Sequence, residues 1–397
     1  MFKKRSRLFL LLLSLLLLML MGCNSAVEES PVNVGDVGQQ EQQEPLPDYI
    51  TIASYDVGSN TFSQAAALGE GILKKTGLKT RQIVAGTDFG RIIPVRSGKV
   101  HFFLGSSNTI QLAKTGRAQF EAMEWGPQPF RQIWCTMSAT GIGLMTPGNS
   151  DIEKVSDLKG KRYPFVVGND SANFANEAIL RFGGLTWDDV KIVEVPGTSE
   201  VYQALLNGQI DAAGGTVVAP PFYEMAETSR GIKQIPFPKE DTVGWDAIRK
   251  FAPNFVPFTA KIGAGISEDN PVELLGFSAP LVLTYAELDE NIAYTMTKAI
   301  NESYDSYKDL NPDLVSWAID KSILPEIIIC PFHDGAIKYF KEIGWWNDEL
   351  QKKQDELLAE EEKALRLWDK TVNEFIESGK PSKDFIEVWR KNRDASF

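Results

Sequence analysis

From Tyr49 onward, short apolar runs rich in β-branched residues alternate with stretches whose apolar residues recur at helical spacing. This pattern first predicts strands at 49–54, 80–85 and 100–105 and helices at 61–75, 88–97 and 108–115. The cycle restarts near residue 150, with predicted strands at 163–167, 191–195 and 209–213 and helices at 172–183, 199–207 and 219–228. Such an order is typical of an α/β protein with mainly parallel sheets and right-handed crossovers.

Two α/β units of similar design predict a body with two lobes. The β-like stretch 131–146 joins the units, and residues 243–270, which contain Gly, Pro and aromatic residues, are interpreted as the return path. A strand at 274–284 would re-enter the first lobe, and a helix is predicted over 288–307. The predicted division is therefore 49–145 and 257–344 for lobe I and 146–256 for lobe II.

The last segment, 345–397, predicts a helical extension of the body. Residues 347–378 are highly charged, and leucines recur through them at Leu350, Leu357, Leu365 and Leu367. This spacing predicts one long amphipathic helix.

The first 22 residues have the pattern of an export signal. Cations at positions 3, 4, 5 and 7 precede an almost purely apolar run at 8–21, which is too short for a membrane span of about 20 residues. The run ends at Gly22-Cys23, a pattern typical of lipoprotein processing. Residues 1–22 are therefore predicted to be a lipoprotein signal peptide, and Cys23 the lipidation site. An uncleaved N-terminal anchor is the alternative, and both interpretations export the protein.

Residues 23–48 are predicted to form a flexible tether. Beyond Cys23 they are rich in Gln, Glu, Pro and Val, contain no aromatic residue and show no helical stripe, so they cannot bury a core. A lipid on Cys23 would hold the body at a membrane, on the periplasmic or cell-surface side.

Composition excludes several classes of function. The 397 residues include 41 Lys+Arg and 53 Asp+Glu, a formal net charge of −12, and loss of the four N-terminal cations would leave 37 − 53 = −16. This acidic balance argues against a nucleic-acid partner. Two histidines and three cysteines leave little material for a metal site, and no cofactor is predicted. No nucleophile elbow, phosphate-binding loop, zincin motif or dinucleotide fingerprint occurs, so an enzyme is not predicted.

Four turns built from small polar residues follow predicted strands, at 58–61, 105–109, 168–173 and 214–216. Each alone is an ordinary helix cap, but the carboxyl ends of strands in open α/β sheets line the ligand crevice. Free backbone N–H groups at helix starts attract anions. The four turns together predict a binding cleft whose ligand-binding residues are Tyr55, Ser59, Asn60, Thr61, Ser106, Ser107, Asn108, Ser171, Asn173, Phe174, Gly215 and Thr216.

Some side chains keep two interpretations open. Tyr55 and Phe174 are either pocket walls or core residues, and Arg91 or Arg131 would give a bidentate contact to an anionic solute. The pair Cys135 and Cys330 is compatible with a disulfide or with free thiols. His333, in the sequence PFHDGA, is interpreted as a buried structural histidine.

Several sequence blocks, spread over roughly residues 49–344, resemble the TAXI family of TRAP (tripartite ATP-independent periplasmic) solute-binding proteins. The blocks are IASYDVGSNTFSQAAALGEGI, GTDFGRIIPVRSGKVHFFLGSSNTIQLAKTG, IEKVSDLKGKRYPFVVGNDSANFANEAILRFGGL, EVYQALLNGQIDAAGG and PFHDGAIKYFKEIG. The first differs from the family's usual turn at Gly58–Phe62, and the last has Asp334 where proline is common. The resemblance implies a two-lobed fold like that of type II periplasmic binding proteins.

The resemblance also implies a function. A small solute, for which a carboxylate such as an amino acid or a dicarboxylate is the first expectation, would bind between the lobes and stabilise a closed form that docks on TRAP permease subunits. The alternative is an ABC-type substrate-binding protein for a thiamine-precursor-like or sulfonate-like solute.

Overall fold

The computed structural model describes residues 46–397, and this region contains two five-stranded sheets, one two-stranded sheet and thirteen α-helices. The strands are β1 (Ile50–Ser54), β2 (Thr80–Val84), β3 (Phe102–Gly105), β4 (Phe130–Met137), β5 (Ile142–Pro147), β6 (Arg162–Val166), β7 (Lys191–Val195), β8 (Ala213–Thr216), β9 (Ile232–Ile235), β10 (Val256–Ala260), β11 (Val272–Gly276) and β12 (Ser278–Tyr285). The helices are α1 (Asn60–Thr76), α2 (Asp88–Arg96), α3 (Ser107–Ala113), α4 (Asp170–Phe182), α5 (Thr198–Leu206), α6 (Pro220–Ala226), α7 (Thr242–Phe251), α8 (Glu290–Glu302), α9 (Tyr304–Tyr307), α10 (Ile319–Ser322), α11 (Asp334–Glu342), α12 (Asp348–Glu377) and α13 (Phe385–Asp394).

The first sheet has the strand order β2-β1-β3-β12-β4. β1 is parallel to β2 and to β3, as the predicted strand–helix–strand order requires. β12 inserts between β3 and β4 and is antiparallel to both, so the chain returns to this sheet after building the second one. All five residues of β1 are buried, which places this sheet in the core.

The second sheet differs from the prediction of parallel strands. β5 pairs antiparallel with β8, β9 and β11, and β10 continues the sheet beyond β11. Only β6 and β7, which flank α4, form the expected parallel pair. The chain enters the second sheet through β5 and leaves it through β10 and β11. The paired strands β5 and β11 therefore run in opposite directions. The α/β class with two lobes is nevertheless the observed architecture.

One local prediction in the second half is wrong, and one helix there was not predicted. The strand expected at 209–213 lies at Ala213–Thr216 instead, so Gly214 and Gly215 belong to β8 rather than to a turn. A Cβ on Gly214 would lie 2.3 Å from Oδ1 of Asn176, which shows that close packing against α4 requires glycine there. The predicted return path, 243–270, contains most of α7, a helix that was not predicted and that Asp241 caps by accepting a hydrogen bond from the Gly244 amide.

The C-terminal extension forms a helical hairpin, defined here as residues 345–397, and α12 confirms the predicted long helix. Four aromatic side chains, Trp368, Phe375, Phe385 and Trp389, form a small core between α12 and α13. The Trp389 indole donates a hydrogen bond of 2.6 Å to the Gly116 carbonyl, which fastens this core to lobe I. The hairpin is therefore docked on the body.

Two predictions on side chains outside the cleft have clear outcomes. Cys135 and Cys330 are both buried free thiols, so the disulfide interpretation is wrong for this structure. His333 is buried, accepts a hydrogen bond from the Gly335 amide at the start of α11 and contacts the Leu288 carbonyl through Nε2. Burial lowers the pKa of His333, as expected for a structural histidine.

The predictions for the signal peptide, for lipidation of Cys23 and for most of the tether lie outside the described residues. Within residues 46–397, no helix combines the length and the apolar character needed to cross a membrane.

Candidate functional site

The candidate site is a cavity of about 110 Å³ between the two lobes. Its rim includes the first residues of α1 and α4 and the end of β8. Ser59 caps α1 by accepting a hydrogen bond from the Phe62 amide, and Asn169 caps α4 by accepting one from the Ala172 amide. The positive ends of two helices from different lobes therefore face the same small space.

Nine of the sequence-predicted site residues line this cavity, and they come from both lobes: Tyr55, Ser59, Asn60, Thr61, Ser106, Asn108, Ser171, Gly215 and Thr216. The structure thus brings residues together that are separated by up to about 160 positions in the chain. Whether they contact a solute stays a prediction.

The other three predicted residues do not line the cavity. Asn173 is turned back onto β6, where its side chain accepts from the Val166 amide at 2.9 Å and donates to the Val166 carbonyl at 2.8 Å. Phe174 packs on Phe251 of α7, with ring centroids 4.7 Å apart. The Ser107 hydroxyl accepts a hydrogen bond from the Asn254 amide group. These side chains are committed to the protein's own structure.

Six polar lining residues were missed by sequence analysis: Gln64, Ser138, Asn176, Thr198, Tyr202 and Asp313. Gln64 lies four residues after Asn60 on α1, and helical spacing alone would have placed it on the same face. Asn176 follows Ala172 by the same interval on α4. Asp313 has no comparable signal, because it lies far from the predicted turns in a short 3-10 helix, Pro312–Trp317.

Asp313 is the centre of polar contacts at the cavity wall. One carboxylate oxygen, Oδ1, accepts from the Ala139 amide at 2.7 Å, and the other, Oδ2, accepts from the side-chain amides of Asn60 and Gln64, each at 3.1 Å. The side chain is 1% exposed, and burial raises its pKa to about 6. At neutral pH, this part of the cavity therefore carries a negative charge.

Cations are kept away from the described lining, which contains no Lys, Arg or His. Arg91 is buried behind Tyr55, with its guanidinium 3.4 Å from the ring centroid, and it is paired with Asp88 at 2.6 Å. Arg131 forms a bidentate ion pair with Glu361 of the C-terminal hairpin. The expectation that one of these arginines holds a solute carboxylate is therefore wrong for this conformation.

Direct hydrogen bonds join the lobes around the cavity. The Asp88 carboxylate accepts from the Ser171 amide at 2.8 Å and from the Ser171 hydroxyl at 2.9 Å. On another side, Asp56 accepts from the Ser199 amide, and the Ser199 hydroxyl donates to the Val57 carbonyl at 2.6 Å. These contacts join α2 and the loop after β1 to the starts of α4 and α5, which describes a closed cleft.

The comparisons with known proteins agree with this architecture. The model of the NMT1-like family matches residues 56–344. The chain belongs to the NMT1-like family. This family is of the periplasmic-binding-protein type, and the match covers both lobes and ends before the C-terminal hairpin.

Solved structures similar to this NMT1-like protein include two sulfonate-binding proteins. The alkanesulfonate-binding protein SsuA from Xanthomonas axonopodis pv. citri, bound to MOPS, is 13% identical over 79% of this chain and 84% of its own, with a TM-score of 0.42. The periplasmic aliphatic sulphonate-binding protein SsuA from Escherichia coli is 13% identical over 82% of this chain and 88% of its own, with a TM-score of 0.41.

A third similar structure is the GluR0 ligand-binding core from Nostoc punctiforme in complex with L-glutamate. It is 15% identical over 66% of this chain and 96% of its own, with a TM-score of 0.38. The family match supports a periplasmic solute-binding protein of a transporter, without showing the finer TAXI assignment.

Proposed function

We propose that this chain is an extracytoplasmic solute receptor and that its solute is a small zwitterion of the amino-acid type. The observation that carries this proposal is the charge arrangement of the cavity, in which a buried carboxylate at Asp313 faces the same space as helix N-termini. A zwitterion has one group for each of these two features. Its ammonium group would interact with the Asp313 carboxylate, and its carboxylate with the helix N-termini.

The size of the cavity supports a small solute. Its volume of about 110 Å³ is somewhat smaller than the roughly 150 Å³ of an engineered protein cavity that binds benzene. A solute with about five to ten non-hydrogen atoms fits this space.

The charge arrangement also narrows the expected class of carboxylates. A dicarboxylate or a sulfonate would bring net negative charge beside Asp313, and the described lining offers no cation to compensate it. Desolvating an unpaired charge in such a space is costly. An amino acid is therefore the stronger candidate of the two carboxylate classes expected from sequence.

Closure of the lobes would couple binding to delivery. The hydrogen bonds from Ser171 to Asp88 and from Ser199 to Val57 form only when the lobes meet, and a solute that touches both lobes adds contacts to this state. Binding thus shifts the population toward a closed form that a membrane permease would recognise. Lipidation at Cys23 would keep the receptor near that permease.

Two kinds of permease are compatible with this role. The sequence blocks resemble TAXI receptors and favour a TRAP permease driven by an ion gradient, whereas the names of the structural neighbours fit an ABC permease driven by ATP. Uptake of radiolabelled solute into vesicles separates them. ATP-dependent uptake supports the ABC type, and uptake that an ionophore abolishes without ATP supports the TRAP type.

The solute class is tested by calorimetric titration of the protein with L-alanine, L-glutamine, succinate and ethanesulfonate. We expect one of the amino acids to bind at least tenfold more tightly than succinate or ethanesulfonate. Asp313→Asn should weaken that amino acid about thirtyfold, because it removes the negative charge that attracts the ammonium group, an interaction taken to be similar to the roughly 1.5–3 kcal/mol of a hydrogen bond to a charged group. Asp309→Asn is the matched control, since Asp309 is exposed near the same 3-10 helix. Tighter binding of succinate, or unchanged affinity in Asp313→Asn, would contradict the proposal.

A further inference from the structure

A second cavity, of about 440 Å³, lies between lobe I and the C-terminal hairpin. Its walls come from the end of α3, the start of β4, the segment 329–331, one face of α12 and the C-terminal residue Phe397. Six of its sixteen lining residues lie beyond residue 344, where the match to the NMT1-like family ends. The cavity is therefore built by a part of the chain that the family pattern does not describe.

One guanidinium in this wall has no described counter-charge. Arg117 lines the cavity, its Nε atom is buried without a hydrogen-bond partner, and no carboxylate within residues 46–397 forms an ion pair with its side chain. Burial lowers the pKa of Arg117 and the nearby cation Arg393 lowers it further, whereas the carboxylates of Asp394 and Glu121 raise it. The side chain as a whole is half-buried, but its buried Nε atom lacks an acceptor, so this position would gain from an anionic partner.

Neighbouring arginines show the contrast. Arg393 pairs with Glu121 at 2.8 Å, and Arg390 pairs with the same carboxylate at 2.6 Å. Arg131 pairs with Glu361 at 2.8 Å. The carboxylates nearest to Arg117 are therefore already shared or occupied by other cations.

Two lysines add positive charge to the same wall. Lys363 donates to the Ser396 carbonyl at 2.7 Å, lies 4.4 Å from the Phe397 ring centroid and has no ion pair within the described region. Lys114 has a long, solvent-screened contact of 3.8 Å to Glu360. Both ammonium groups are thus available to a ligand.

The wall also contains apolar side chains, beside the neutral polar residues Gln111, Thr115, Gln128 and Ser396 and the carboxylates Glu360 and Glu361. Ile110, Phe130 and Leu357 are all nearly fully buried and line the cavity together with Phe397 at its rim. A ligand that fits this wall has an anionic head for Arg117 and a short apolar part for these side chains.

We propose that this hairpin cavity is a second ligand site and that it takes a small carboxylate with a short apolar chain, held by Arg117. The site is separate from the cleft, because its described lining residues all lie in predicted lobe I or in the hairpin. The inference does not depend on the solute receptor function.

The test is calorimetric titration of the full-length chain with hexanoate, repeated with hexanamide, which has the same chain without the charge. We expect hexanoate to bind the unmodified chain. The affinity of hexanamide for the unmodified chain, and that of hexanoate for Arg117→Met, should each be at least tenfold lower. Lys383→Met removes the same charge from the exposed turn between α12 and α13, and it should change the affinity less than twofold.

Two further measurements separate this site from the cleft and from misfolding. Asp313→Asn should leave hexanoate affinity unchanged, and Arg117→Lys, which retains the charge, should preserve more of it than Arg117→Met. Circular dichroism melting identifies any variant that fails to fold. In that case Lys114→Met is used in its place, and it should lower the affinity for hexanoate threefold or more. No hexanoate binding, equal affinity for hexanamide, or unchanged affinity in Arg117→Met would overturn the proposal.

Discussion

The two cavities of this protein differ in the charged groups that line them. The cleft between the lobes is lined by neutral polar groups and one buried carboxylate, and its nearest arginine, Arg91, is already paired with Asp88. The hairpin cavity, in contrast, contains a guanidinium at Arg117 that forms no ion pair within residues 46–397 and has a buried Nε atom without an acceptor. In the cleft, a cationic group of the solute would therefore be attracted by the Asp313 carboxylate and an anionic group by the helix N-termini. In the hairpin cavity, an anionic group would be attracted by the Arg117 side chain.

This difference shows how one α/β body acquires separate sites. Helix N-termini are inherent in the fold, so the cleft offers positive potential without a cation and can add a carboxylate at Asp313 for discrimination. The hairpin cavity has no long helix start pointing into it, and its charge comes from side chains alone. The first site lies inside the family match and the second depends on an extension beyond it.

The largest expected effect comes from uncoupling the hairpin from lobe I. Glu121 pairs with Arg390 and Arg393, and Glu121 and Arg393 are both nearly fully buried. Glu121→Gln removes the buried one of the two carboxylates that pair with Arg393 and leaves only the exposed Asp394, so we expect a loss of about 3 kcal/mol in the free energy of unfolding, measured by chemical denaturation.

The matched control is Glu362→Gln, because Glu362 lies on the exposed face of α12 and pairs there with Arg366. Its expected cost is below about 0.5 kcal/mol. Glu121→Gln should also weaken hexanoate and leave solute affinity in the cleft within twofold. Equal stability of the two variants would show that the buried pair does not hold the hairpin.

A pH profile sharpens the comparison at the cleft. Burial raises the pKa of Asp313 to about 6 in the free protein, above its ordinary value of 3.8. The protonated form therefore contributes stability that is fully present below pH 3.8 and is lost as the pH rises through about 6. If only the ionised carboxylate binds an ammonium group, solute affinity at pH 5 should be about tenfold lower than at pH 7.5.

Calorimetric titration at several pH values measures this profile. Asp313→Asn should flatten it, because the titrating group is absent. The affinity for hexanoate should not follow the same curve, since Arg117 stays charged throughout this range. A wild-type affinity for the amino acid that is constant between pH 5 and pH 7.5 would remove Asp313 from solute recognition.

Sequence reasoning located the turns better than the directions of their side chains. The strand-to-turn pattern placed Ser59, Ser106 and Ser171 together because the carboxyl ends of strands converge in this fold. The same pattern placed Asn173 in the cleft, yet its amide bonds the backbone of Val166. A one-dimensional pattern contains no information on which rotamer a polar side chain adopts.

Contacts between residues far apart in the sequence were the second feature that could not be predicted from sequence. Asp313 approaches Asn60 across 253 positions, and no local pattern in the sequence NPDLVSW marks its contact with α1. The antiparallel strands of the second sheet were missed for a related reason, because their pairing depends on where the chain crosses between lobes. Periodicity predicts elements, whereas these features depend on the path of the whole chain.

The smallest expected effect comes from a hydrogen bond that joins the lobes outside the cavity. The Ser199 hydroxyl donates to the Val57 carbonyl at 2.6 Å, and Ser199 does not line the cleft cavity. Ser199→Ala removes this bond from the closed form only, so solute affinity should fall about threefold, within the roughly 0.5–1.5 kcal/mol of one hydrogen bond. Ser97→Ala, which removes a bond to the Pro94 carbonyl within lobe I, should leave solute affinity unchanged. Hexanoate affinity should stay within error in both variants, because the hairpin cavity does not depend on lobe closure. If Ser199→Ala weakened hexanoate as much as the amino acid, the two cavities would be coupled rather than independent.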